Sequence, residues 1–201
     1  MNYDAEFSIH EKHQFRLDTR IYLGSSAKPR TLKDNCIAAV IAKNPGSANP
    51  TKLGSLEELT LDGDKLLPTV RNRFLEAFEI AGVPVPANGF VRVWNLLYLC
   101  NPNLNEALKT YPTIKRPLGC KSERSFPPIV WFAWGPPKKG LDEYKARFLE
   151  AKIVDAFFYD MDKSKVIAKK PKPDSRVKHT QGMPKGPIND HLARLIKKHI
   201  K

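Results

Sequence analysis

The chain has 201 residues, with 34 Lys and Arg against 21 Asp and Glu, which gives a formal net charge of +13. A hydrophobic content of 41% is enough for a substantial core, so global disorder is excluded. The apolar runs are too short to span a membrane, residues 1–6 do not read as a signal peptide, and three cysteines without a Cys-x-x-Cys pair argue against a disulfide framework or a thiolate metal cage. We therefore expect a cytoplasmic protein with no metal and no cofactor.

Short apolar runs alternate with longer amphipathic stretches, and this order predicts an α/β fold. In chain order, strands are predicted at 15–23 on the sheet edge, 36–42, 90–99 with a break near Asn95, and 129–134, and a last strand is expected at 166–168 or 176–179. Helices are predicted at 66–81 with Gly82 as the stop, around Ala107 and Leu108, at 141–153, and around Ile188 to Ile196 with Asn189 or Asp190 as the cap.

These elements predict a three-layer α/β/α sandwich with a central, mostly parallel four-stranded sheet. We expect a single domain over residues 1–201, with an N-terminal edge extension over 1–30. The basic C-terminal segment, residues 161–201, ends in the closing helix.

Most of the positive charge lies in that basic C-terminal segment. It contains 12 basic and three acidic residues, so it carries +9 and leaves +4 for the rest of the chain. A basic segment on a near-neutral body raises the local concentration of polyanions, which predicts a nucleic-acid partner. The alternative is a solvated segment that only increases solubility.

Polar residues follow the predicted strands at the points where a parallel sheet places its ligand. They are Asn44-Pro45-Gly46-Ser47, then Asn95, then Trp134-Gly135, and a late segment with His179 and Asn189. This order resembles the uracil-DNA glycosylase superfamily over roughly residues 15–190. The mismatch-specific branch has Gly-Ile-Asn-Pro-Gly where this chain has Ala42-Lys43-Asn44-Pro45-Gly46.

A bacterial and phage family with an Asn-Pro-Ser first motif is also similar over the whole length. The similarity to that family is carried by Pro68-Thr69-Val70-Arg71, Trp94-Asn95-Leu96 and Gly182-Met183-Pro184.

The resemblance implies cleavage of an N-glycosidic bond, with Asn44 orienting the attacking water. An amide cannot take a proton, so Asp62 or Asp64 could assist, although both also fit helix-start charges. Asn95 corresponds to the residue that reads the edge of a flipped base, and its alternative is a buried amide satisfied by the backbone. The Asn-Pro-Gly sequence alone would equally fit a tight turn.

Gly46 replaces a tyrosine that blocks C5 of the pyrimidine in the uracil-specific enzymes, so we expect a pocket open to C5 substituents. The late motif departs from the family, because Gly186-Pro187 stands where relatives have His-Pro. This leaves His179 or Asn189 as the group that stabilises the leaving base, and for either a surface or capping role is the alternative. Contacts with the flipped base are further expected from Ser47, Trp94 and Tyr98, although Trp94 and Tyr98 could instead be aromatic residues of the core.

Contacts with the DNA backbone are expected from Lys43, Lys138, Lys139, Lys178 and Lys185.

The expected function is that of a monomeric DNA glycosylase without membrane contact. It would flip a C5-modified pyrimidine or uracil out of double-stranded DNA and leave an abasic site, in repair or in antiviral defence. Two alternatives stay open: a non-catalytic nucleic-acid-binding protein on the same fold, and an N-glycosidase that acts on nucleosides or nucleotides.

Overall fold

A computed structural model describes residues 2–24, 34–46, 53–59, 61 and 63–200. Within these residues the chain forms an eight-stranded mixed sheet in the order β4-β1-β2-β5-β3-β6-β7-β8, together with four α-helices. The strands are β1 Tyr3–His10, β2 His13–Tyr22, β3 Asn35–Ala42, β4 Leu56–Glu58, β5 Gly89–Asn95, β6 Ile129–Phe132, β7 Asp155–Asp160 and β8 Lys165–Ile167. The helices are α1 Leu66–Ala81, α2 Leu104–Thr110, α3 Asp142–Leu149 and α4 Lys185–His199.

The predicted α/β class is confirmed, whereas a four-stranded, mostly parallel sheet is wrong for the sheet as a whole. In the described part of the chain, parallel pairing joins the central strands, in the order β5-β3-β6-β7, and antiparallel strands extend the sheet on both sides. The crossover from β3 through α1 leads to β5, on one side of β3 in the sheet, and the crossover from β6 through α3 leads to β7, in the opposite direction along the sheet. The two crossovers therefore diverge next to the carboxyl end of β3, where open α/β sheets bind ligands.

Helices cover both faces of the sheet because its central strands are apolar on both sides. One face packs α1 and α4 over Val40, Val93 and Trp131. The other packs α2 and α3 over Ile41, Trp94 and Phe132. Alternate residues of one strand thus belong to different cores, so the position of a residue along its strand decides which layer it joins.

The first long helix agrees with its prediction at both ends. Leu67, Val70, Phe74 and Phe78 are buried along one side of α1. The backbone of Gly82 ends the helix with φ of 64°, in the left-handed region that glycine adopts most easily.

The N-terminal part of the chain is more than an edge extension. β2 lies inside the sheet between β1 and β5, so the prediction of an edge strand at 15–23 is wrong in its position. The sequence prediction omitted β1, because its alternating polar residues gave no apolar run. β4 pairs with β1 and forms the sheet edge instead.

The C-terminal part differs in two further ways. The fourth parallel strand is β7, whereas the predicted strand at 166–168 is the antiparallel β8 and the alternative at 176–179 forms a single bridge, from Val177 to Asp160. α4 starts at Lys185 without a side-chain cap, so Asn189 and Asp190 lie in its second turn and do not cap it. No helix in the described ranges is long and apolar enough to cross a membrane.

Candidate functional site

The strand-end residues line one cavity of about 350 Å³ at the carboxyl edge of the parallel strands. Four of the predicted site residues contribute to its wall: Asn44, Gly46, Asn95 and His179. They come from distant parts of the sequence and meet because parallel strands end at the same edge of a sheet. The volume lies in the range of roughly 300–1,000 Å³ that is typical of small-molecule sites.

The loop after β3 is fixed by the loop after β5. Asn44 Nδ2 donates to the carbonyl oxygen of Asn101 at 2.7 Å, and Gly46 forms a β-bridge with the same residue. This bond uses the donor end of the Asn44 amide. Oδ1 has no hydrogen-bond partner among the residues that the structure describes, so it is available to accept from a water in the cavity.

Gly46 keeps one side of the cavity open. Its φ of 71° lies in the left-handed region, where a side chain is strained. A Cβ built on Gly46 would meet no described atom within 4 Å. The neighbouring Ser47, which was predicted to contact the base, lies outside the described residues.

Asn95 is the last residue of β5, and its side chain is 1% exposed. Its Nδ2 has no hydrogen-bond partner in the described part of the chain. The backbone around it is held firmly, because Arg147 Nη2 donates to the carbonyl oxygens of Asn95 and Leu96 at 2.7 and 3.1 Å. A buried amide donor without a partner is destabilising, so the site favours an occupant that brings an acceptor to Asn95.

His179 reaches the cavity because the segment before it pairs with the end of β7, through the bridge of Val177 to Asp160. Its Nδ1 accepts from the backbone N–H of Gln181 at 3.3 Å, so a neutral ring carries its proton on Nε2. Burial, and secondly the positive charge of Lys43, lower the pKa of His179 below its ordinary value. The ring is therefore a neutral donor at neutral pH.

Arg16 and Asp64 form the charged part of the wall. The Arg16 side chain is 4% exposed, and its Nη1 lies 3.5 Å from Asp64 Oδ2. The other oxygen, Oδ1, accepts from the backbone N–H groups of Leu66 and Leu67, so Asp64 does bind the start of α1 as its alternative interpretation expected. Asp62 lies outside the described residues.

Three residues that were predicted for catalysis or base binding do not line this cavity. Asn189 lies between α4 and α1, where it donates to Glu76 and accepts from Arg73. Trp94 and Tyr98 are buried in the core below α3, where they donate to Ser122 and Glu123 respectively. Asn189, Trp94 and Tyr98 therefore have structural contacts elsewhere and do not form part of the cavity wall.

The predicted lysines differ in their burial and in their neighbours. Lys43 folds over Gly135, whose φ of 84° and missing side chain leave room for it, and burial together with Lys138 and Lys145 lowers the pKa of Lys43. Lys138 and Lys139 are exposed in the loop before α3, and Lys178 is half-buried.

The basic C-terminal segment contributes in part to the surroundings of the site. Lys185 is exposed at the start of α4, in the wall of a second cavity that shares Lys65 and Gln181 with the first. Some of the segment's charge is neutralised locally, because Arg176 pairs with Asp162 and Lys198 with Asp155.

Sequence reasoning missed Arg16 and Arg147. Arg16 lies between Phe15 and Leu17 in a strand where all three are buried, and a charged residue flanked by core residues was an available signal. Arg147 gave no signal, since a charged residue on a short amphipathic helix is ordinary.

No protein-family model matches the chain, and the comparisons with curated proteins and with solved structures give no match either. The described residues hold no group of three or more His, Cys, Asp or Glu side chains that could bind a metal ion.

Proposed function

We propose that the protein is a DNA glycosylase of the uracil-DNA glycosylase type that excises uracil or a C5-substituted pyrimidine from DNA. The observation that carries this proposal is the meeting of Asn44, Gly46, Asn95 and His179 in one cavity at the end of the parallel strands. The order of the central strands, the open side at Gly46 and the positive charge of the chain support it further.

In this proposal Asn95 reads the edge of the flipped base. Its buried Nδ2 gains the acceptor that it lacks, which could be a carbonyl oxygen of the pyrimidine. Flipping exposes the glycosidic bond to the cavity and removes the base from its stack.

Asn44 positions the water, since its amide is fixed by Asn101 and its Oδ1 is left to accept a hydrogen bond. The bond from C1′ to the base nitrogen breaks, its electron pair leaves with the base, and the water oxygen bonds to C1′. The proton that the water loses ends on the released base. His179, a neutral donor through Nε2, stabilises the negative charge that develops on that base.

The test measures base release from DNA. Duplexes that carry one uracil, thymine, 5-hydroxymethylcytosine or glucosylated 5-hydroxymethylcytosine are incubated with the chain, and abasic sites are cleaved with alkali. We expect strand breaks with at least one duplex, and a rate at least about 100-fold lower for Asn44→Ala, because the water loses its orientation. The matched control is Asn105→Ala, an exposed asparagine on α2, which should leave the rate unchanged.

Each failure has a separate meaning. Strand breaks that persist in Asn44→Ala would contradict its role, and strict preference for plain uracil would contradict the open C5 side. DNA binding without base release from any duplex would favour a non-catalytic binder. Release from mononucleosides alone would favour a nucleoside N-glycosidase.

A further inference from the structure

Arg16 and Asp64 form a pair in the cavity wall whose hydrogen-bonding capacity is only partly used. Arg16 Nε and Nη1 are buried and have no hydrogen-bond partner among the described residues. The contact with Asp64 Oδ2, at 3.5 Å, is too long to satisfy them, and Asp64 Oδ1 is occupied by the start of α1. The pair therefore offers buried donors and one acceptor oxygen beside each other.

An unpaired guanidinium N–H group in a buried wall is destabilising, so this wall favours an occupant that supplies an acceptor. Burial lowers the pKa of Arg16, yet an arginine side chain keeps its charge in proteins. The pair thus consists of a cation and an anion whose charges are equal in magnitude and opposite in sign. It adds no net charge to the cavity.

The chemistry of the pair selects the class of group that it can bind. An anionic group would be repelled by Asp64, and a cationic group would be repelled by Arg16. A methyl group would leave the Arg16 donors unpaired. A hydroxyl group both accepts and donates, so it can accept from Arg16 while donating to Asp64 Oδ2.

We propose that Arg16 and Asp64 form a subsite for a neutral, hydroxyl-bearing substituent on the flipped pyrimidine, an inference that rests on the proposed function. The pair shares one cavity with Asn95, which the base edge would occupy, and with Gly46, which leaves the cavity open. The cavity of about 350 Å³ has room for such a substituent beside the pyrimidine ring.

The test measures binding, so that it does not depend on base release. The Asn44→Ala chain is titrated against duplexes that each carry one uracil with hydrogen, methyl, hydroxymethyl or carboxyl at C5, with fluorescence anisotropy as the readout. We expect hydroxymethyl to bind about tenfold or more tightly than methyl, the effect of hydrogen bonds to charged groups. Adding Arg16→Met should bring this ratio close to one.

Asp64→Asn provides a second, independent arm. Asparagine keeps a side-chain oxygen for the start of α1, so the helix cap is retained. Without the carboxylate, the charge of Arg16 is no longer balanced, and we expect the carboxyl-substituted duplex to gain affinity by about tenfold relative to the hydroxymethyl duplex. A purely structural role of the pair would not produce this gain.

The matched control is Arg124→Met, which removes an exposed arginine outside the cavity and should leave both ratios unchanged. Arg16→Lys keeps the charge in the core should the methionine variant unfold, and we expect an intermediate ratio for it. Equal affinities for the methyl and hydroxymethyl duplexes would overturn the subsite. Affinity ratios that stay the same in Arg16→Met and Asp64→Asn would also overturn it. Ratios that respond as expected without any base release would instead refute the glycosylase and leave the subsite standing.

Discussion

His191 on α4 is buried as a neutral ring, and this makes the stability of the protein depend on pH. The residue is 7% exposed and packs its ring against Phe157, with the centroids 4.7 Å apart. Arg194 lies beside it, with Nη2 3.2 Å from His191 Nδ1. A second proton on the ring would have to face that guanidinium, so the charged form is disfavoured both by burial and by repulsion.

Burial, and secondly Arg194, lower the pKa of His191 from 6.5 to about 4. In the unfolded chain the ring is protonated below pH 6.5, whereas in the folded chain it stays neutral until about pH 4. The stabilising effect of the neutral ring is therefore complete above pH 6.5 and is lost as the pH falls to about 4. The difference corresponds to about 3 kcal/mol, at about 1.36 kcal/mol for each pH unit.

The perturbation is His191→Gln, which keeps a polar side chain that can accept from Arg194 and has no charge to gain. Thermal unfolding is measured for both chains between pH 7 and pH 4. We expect the difference in unfolding free energy between them to change by about 3 kcal/mol over this range, or roughly 6–12 °C in Tm. Taking the difference cancels the other groups that titrate in the same window.

The control is Lys197→Gln, an exposed residue on the same helix, whose curve should run parallel to that of the unmodified chain. Parallel curves for His191→Gln and the unmodified chain would refute the reasoning, because they would show that His191 takes up its proton equally in both states.

Asn44→Asp places a carboxylate oxygen 2.7 Å from the backbone carbonyl oxygen of Asn101, so the pKa of the new carboxyl group should rise in the folded state. The variant should lose about 1–3 kcal/mol of stability above that pKa and recover it at acidic pH, which thermal unfolding at pH 4 and pH 8 will check. Gly135→Ala forces a residue with a side chain to adopt a φ of 84°, so it should lower the free energy of unfolding in urea by about 1–2 kcal/mol. The control is Gly186→Ala, which lies in open space in the first turn of α4 and should leave the stability unchanged or raise it. Arg147→Met leaves the Asn95 carbonyl without its side-chain donor. We expect a loss of about 1–3 kcal/mol in stability and a slower base release with unchanged DNA affinity, which unfolding and single-turnover kinetics would separate.

Elements with a strong local pattern could be predicted from the sequence. α1 has apolar residues at helical spacing and a glycine that stops it, and β3 is a continuous apolar run, so both were found without knowledge of their partners. β1 was missed because it alternates polar and apolar residues, and β7 because its apolar run, residues 156–159, is short. Each pairs with the next strand along the chain, β2 for β1 and β8 for β7, and also with a distant strand, β4 for β1 and β6 for β7. The distant pairing cannot be read from the segment itself.

The sheet's pleat decided which residues of β5 face the cavity. Val93 and Asn95 line it, whereas Trp94 points into the opposite core, because successive side chains of a strand alternate between its faces. The sequence indicated Asn95 from its position near a strand end, but it could not exclude Trp94. Trp94 is excluded from the cavity because its face of the sheet is covered by α2 and α3, and the sequence does not show which helices cover which face.

The sequence by itself determined the α/β class, the first crossover helix and the placement of Asn44 and Asn95 at strand ends, since these follow from local periodicity and from the rule that parallel strands end together. Only the tertiary structure brought Arg16 to the same cavity and moved Asn189 away from it. Arg16 arrives through antiparallel pairing beyond the end of β5, and Asn189 is held by the packing of α4 on α1. Both contacts join residues that are far apart in the chain, and no local pattern of residues specifies such contacts.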